Sequence, residues 1–186
     1  MKTEKCKNSN KNRNNKLYNE NLCDLRHACI VNITSLLKEA ELLYENEFYA
    51  RTFLLSYLVL EELGKLLLIS DYITGVVSEE ELKVGFKDHN HKIGYWHNQC
   101  QLTKDNDGTT NATITYSKDK YRYLFDLRKK SAYVDYINEM YDFTTPQDTI
   151  TSNIAVEILN YAKKEFNFLI SCEIFNSRIG SKAIYK

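Results

Sequence analysis

Three stretches of this chain bring together residue types that can do chemistry, and each is embedded in helix-like sequence. "VLEELGKLLLISDY" (residues 59–72) keeps Glu61, Glu62 and Lys65 at the centre of the most apolar segment. "HNHKIGYWHNQC" (residues 89–100) holds His89, His91, Lys92 and His97, and "YRYLFDLRKKSAYVDY" (residues 121–136) holds Arg128, Tyr133 and Asp135. An imidazole beside an ammonium group is the arrangement of a general acid/base, since histidine changes charge near neutral pH. Carboxylates next to such cations orient and tune them rather than react themselves.

Spacing decides which of these groups can meet. On a helical wheel Arg51, Glu61, Glu62 and Lys65 share a sector of ~100° with Leu54, Leu58 and Ile69. Glu61 and Lys65 stand in the favourable acid-before-base order four residues apart, and Glu62 lies three before Lys65. Arg51 is about 16 Å up the same face. If that face is buried, its charges need partners from one another or from a facing helix; if it is exposed, they are a weak surface ion pair. In the next segment Leu82, Phe86, Ile93, Trp96 and Cys100 make an apolar seam with His89 in its middle and Lys92 on its edge. His91 points ~160° away, so His89 and His91 cannot converge on one ion from a regular helix. His97 and Cys100 supply two ligands, which closes no zinc site, so neither a metal nor a cofactor is expected. Arg128 and Asp135 sit two turns apart on one side of a helix, whereas Arg122, Lys129 and Lys130 read as a solvated basic face.

The elements that must position these groups are helices. One proline and six glycines among 186 residues argue against a turn-rich β fold. Steps of three and four through Leu22, Leu25, Cys29, Ile33, Leu36, Ala40 and Leu43 mark a helix from Asn21 to Glu45. A second, apolar in every direction and hence central, runs from about Phe48 to Thr74. Gly75 suits its C-cap, and Ser78 with Glu81 opens a third helix from Glu79 to about Leu102. "TKDNDGTTNATITYS" reads as a loop in which "ATITY" is a short strand at most. A fourth helix spans about Lys118–Glu139, and Thr145 with Pro146 starts a last one, Gln147 to about Asn176. The expectation is an all-α, antiparallel bundle of four to five helices in one domain, residues 18–186, behind a polar, disordered tail over residues 1–17.

Charge and cysteine usage narrow the setting. Lys+Arg and Asp+Glu both number 25, so no global basic field advertises nucleic acid, and any RNA contact must be local. Five scattered cysteines without a C-x-x-C pair suit a reducing cytoplasm. The N-terminus has no apolar run behind its charges, and no apolar stretch reaches the roughly 20 residues of a membrane span, so no membrane partner is expected.

"YARTFLLSYLVLEELGK", with its central E-E-x-G-K, followed by the H-x-x-K of "HNHK" and by "RKKSAYVDY" before a proline-initiated final helix, resembles the AbiV-type abortive infection proteins of the HEPN superfamily. The likeness runs from about residue 21 to the last helix. It implies a HEPN-like bundle in a bacterial phage-defence protein that acts as a toxin and forms a homodimer. Many HEPN relatives are metal-independent ribonucleases with an R-x4-6-H motif. Here the window after Arg128 ends at Tyr133, Val134 and Asp135, with no histidine.

Two readings follow. In the first the protein is an endoribonuclease that shuts down translation on infection: His89 takes the ribose 2′-hydroxyl proton, Lys92 or Arg128 stabilises charge on the phosphate, and Arg51, Glu61, Glu62, Lys65, Tyr133 and Asp135 shape the charge network. In the second it is a non-catalytic dimeric module that binds a phage or translation-machinery protein. Either accommodates a phage-encoded trigger protein. The first requires that the acids and lysine of the second helix, the imidazole of the third and the guanidinium of the fourth gather in one pocket, and pairing two polar strips across a two-fold axis would make that pocket a composite cleft.

Overall fold

A computed structural model describes residues 4–97, 101–104, 110–113, 118–136 and 142–171. The chain is a helical bundle built round one central helix. α1 (Glu4–Glu45) and α2 (Tyr49–Ile73) form a hairpin, followed by α3 (Glu79–Lys87), α4 (His89–His97), α5 (Lys118–Ala132), α6 (Pro146–Thr149) and α7 (Ser152–Ser171). Two antiparallel two-stranded ladders join them: β1 (Gln101–Lys104) with β2 (Thr110–Thr113), and β3 (Asp135–Tyr136) with β4 (Phe143–Thr144).

α2 is the axis because it is apolar all round. Phe53, Tyr57, Leu60, Leu63, Leu66, Leu68 and Ile69 are all buried, and α1, α3, α4, α5, α6 and α7 pack against it. α1 contributes Leu22, Cys29, Ile33, Leu37 and Ala40 from one stripe, and α7 contributes Ala155, Ile158, Leu159, Ala162 and Leu169 from another. Among the described residues no helix is long and apolar enough to cross a membrane.

The ends of the elements follow local chemistry. Gly75, with φ at 77°, closes α2: its N–H reaches the Tyr72 carbonyl at 3.0 Å, and the Val76 N–H reaches Asp71 at 2.8 Å. Ser78 accepts from the Glu81 N–H while Glu81 accepts from the Ser78 N–H, a reciprocal cap that starts α3. Thr145, Asp148 and Pro146 repeat the device at α6.

Four expectations are corrected. The expected third helix is two. It breaks at Asp88, whose extended backbone (φ −98°, ψ 118°) ends α3, and whose carboxylate accepts the Asn90 N–H at 2.8 Å to begin α4. α5 stops at Ala132, before Asp135, and the expected last helix is divided at Ile150 and Thr151 into α6 and α7, with α7 ending at Ser171. The loop read at "TKDNDGTTNATITYS" carries parts of both strands of a hairpin.

Candidate active site

Tyr57, Glu61 and Gly64 follow one another along α2 at steps of four and three, so they share one face, and that face meets α4 and α5. Each has a distinct partner. At Gly64 the backbone of α4 comes so close that a Cβ would lie 2.1 Å from the Lys92 carbonyl oxygen, so only glycine permits the approach. One turn earlier, the Glu61 carboxylate is 5% exposed and receives three cationic or titratable groups. His89 Nδ1 lies 2.9 Å from Oε1 and 2.8 Å from Oε2; Lys92 Nζ is 3.7 Å from Oε2; Arg128 Nε is 3.8 Å from Oε1. A further turn back, the Arg128 guanidinium lies over the buried Tyr57 ring, 5.7 Å from its centroid.

The break at Asp88 is what aims His89. It places the imidazole on the first turn of α4 instead of inside a continuous seam, and its side chain is 47% exposed rather than buried. With Glu61 ionised, His89 donates through Nδ1–H, which leaves the Nε2 lone pair of the neutral ring as the basic atom. Lys92, by contrast, is almost wholly buried; besides Glu61, its ammonium donates to the Phe86 carbonyl at 3.5 Å, near the end of α3. Arg128 retains 25% exposure and its Nε has no hydrogen-bond partner among the described residues. With a neutral imidazole the group carries one net positive charge, because a single carboxylate faces an ammonium and a guanidinium. Burial, and then the charge of Glu61, push the Tyr57 hydroxyl well above the usual tyrosine range, with Arg128 opposing, so this phenol stays neutral.

Of the residues singled out in the sequence, Glu61, His89, Lys92 and Arg128 meet. Glu62 and Lys65 do not join them. About 100° separates neighbours on a helix, so Glu62 faces α1. There it pairs with Lys65 at 2.5 Å and accepts from the buried Cys29 thiol, which burial and then the Glu62 charge push up to about 12. Arg51 stays exposed on the first turn of α2. Tyr133 and Asp135 lie beyond the end of α5, both exposed. His91 stacks on Tyr95, ring centroids 6.2 Å apart, and the Tyr95 hydroxyl donates to Asp71. The side chains of Trp96, His97 and Cys100 lie outside the described set. Among the described residues no three His, Cys, Asp or Glu side chains gather as a metal site.

Tyr57 and Gly64 are the members that sequence reasoning missed. Their spacing from Glu61, four before and three after, was the signal available. Comparison with known families returns one that matches by its sequence pattern, described as AbiV in the HEPN group, over residues 21–166. Neither the curated proteins nor the solved structures gave a match.

Proposed function

The chain belongs to the AbiV family of HEPN proteins, and from that premise we propose that it is an abortive-infection, phage-defence protein that acts as a toxin by cutting RNA without a metal. The observation that carries this reading is the half-exposed His89 imidazole, held at Nδ1 by a buried carboxylate that Arg128 Nε also approaches, at 3.8 Å.

The chemistry runs as follows. His89 Nε2 removes the proton of a ribose 2′-hydroxyl, and the 2′-oxygen attacks the adjacent phosphorus. Arg128 offers charge-assisted donors to the phosphoryl oxygens as negative charge builds on them. The 5′-oxygen departs with a proton from water, leaving a 2′,3′-cyclic phosphate and a 5′-hydroxyl. Glu61 fixes the tautomer and orientation of the imidazole. Lys92 is too deep to touch a substrate and contributes through its charge. The protein works in the cytoplasm as a homodimer, with a phage-encoded protein as trigger.

A second reading, a dimeric module that blocks translation by binding a phage or translation-machinery protein, draws support from the absence of a histidine in the window after Arg128. Purified protein incubated with total RNA, with infected-cell extract as the source of any trigger, separates the two. We expect cyclic-phosphate ends from the wild type and a loss of about 10²–10⁴-fold in His89→Ala, with growth arrest lost in parallel. A His89→Ala protein that is folded and still fully toxic would remove the acid/base role.

A further inference from the structure

α5 turns two faces to two tasks. Leu124, Leu127 and Ser131 are buried against the bundle, and Arg128 reaches Glu61. Opposite them Arg122, Asp126, Lys129 and Tyr133 form an exposed row at steps of four, three and four, with Tyr123 and Lys130 beside it. Tyr133 stays in the row because its N–H still reaches the Lys129 carbonyl at 3.1 Å, one residue past the helix. Within the basic face read from the sequence, Arg122 and Lys129 share one line, about 10 Å apart by helical rise.

Three properties set this face apart. α5 carries six basic and two acidic residues in a chain whose charges balance overall. Among the described residues Arg122, Lys129 and Lys130 form no ion pair, and Lys129 lies instead over the Phe125 ring at 4.6 Å. Tyr123 and Tyr133 are 58% and 70% exposed, large rings left in water where helix surfaces usually carry polar groups. Cations that neighbours do not neutralise bind phosphates, and exposed rings between them stack on bases that no complementary strand covers. We propose that the outer face of α5 is the track for a single unpaired RNA strand, which crosses the flank of the helix to bring its backbone to Arg128 and His89. This rests on the ribonuclease reading and adds to it the form of the substrate. A duplex offers phosphates but no free base faces, so the rings select against it.

The test uses full-length protein in a His89→Ala background, with a labelled oligouridylate, a duplex RNA and phosphatidylserine vesicles as probes. We expect the oligouridylate to bind with strong salt dependence and to outcompete the duplex. Tyr123→Ser with Tyr133→Ser should weaken it about tenfold or more. Arg122→Ala, Lys129→Ala and Lys130→Ala together should flatten the log–log salt slope by about 2. Binding unchanged in both sets, a duplex that competes equally, or attachment to vesicles alone overturns the proposal. The two ideas fail separately. If the same α5 substitutions with His89 intact leave His89-dependent cleavage untouched, the track is wrong and the nuclease stands. If the oligouridylate binds α5 as described but no cleavage is ever seen, the nuclease reading is wrong and the track remains.

Discussion

Glu61 is one carboxylate doing the work of several, and its burial makes that a stability statement as well as a functional one. Its side chain and that of Lys92 are each 5% exposed. Removing one partner of a buried pair strands the other charge, which typically costs about 3–5 kcal/mol, whereas replacing both with apolar groups of similar shape is often neutral. Glu61→Ala should therefore lower the unfolding free energy by about 3–5 kcal/mol in urea titration, and Glu61→Leu with Lys92→Met should recover most of the loss while remaining inactive. Equal instability in the single and the double variant would mean that the pair contributes through shape alone. The residue types of the site were legible in the sequence: His89 and Arg128 were picked out by chemistry. That Glu61 and Glu62 part company was implicit in the helical angle between neighbours, but which of the two meets α4 depends on where α4 lies, and no local pattern encodes that.

At the level of elements, glycine and capping chemistry decide how closely helices meet and where they begin and end. Gly64 lets two helices touch backbone to side of backbone, and a methyl group there cannot be accommodated by a rotamer change, because the obstacle is the Lys92 carbonyl. Gly64→Ala should cost about 1–3 kcal/mol through overpacking and, by lifting α4, should reduce activity more than stability predicts, read as kcat against urea midpoint. The start of α3 responds to acid. Hydrogen bonds from Ser78 hold the Glu81 carboxyl below its ordinary 4.5. A group depressed in the folded state stabilises above its unfolded pKa and loses that contribution as pH falls through the folded one. Protection of the α3 amides from hydrogen exchange should therefore be flat from neutrality down to about pH 4.5 and decline below it. Ser78→Ala should remove the dependence. The caps at Ser78, Thr145 and Gly75 were readable because each is a few residues of local chemistry. The break at Asp88 was not, because Leu82, Phe86 and Ile93 keep helical spacing straight across it; only its Asx-type cap betrays it.

For the molecule as a whole, composition announced a helical bundle, and the apolar circumference of residues 49–73 announced which helix lies at its centre. Neither could say which helices face each other, since packing partners across the bundle are set by shape far along the chain. The proposed homodimer belongs to this scale. Sedimentation at micromolar concentration should give a species of twice the chain's 21.8 kDa, and a monomer there would leave the His89 site to work within one subunit.

The buried thiol between α1 and α2 has a consequence of its own. A thiol that burial and then the Glu62 charge push up to about 12 stays protonated at neutral pH, so oxidants and alkylating reagents pass Cys29 by while the hairpin is closed. Any labelling of that sulfur then keeps time for the first and second helices coming apart, a clock for the opening of the bundle already installed in the natural chain.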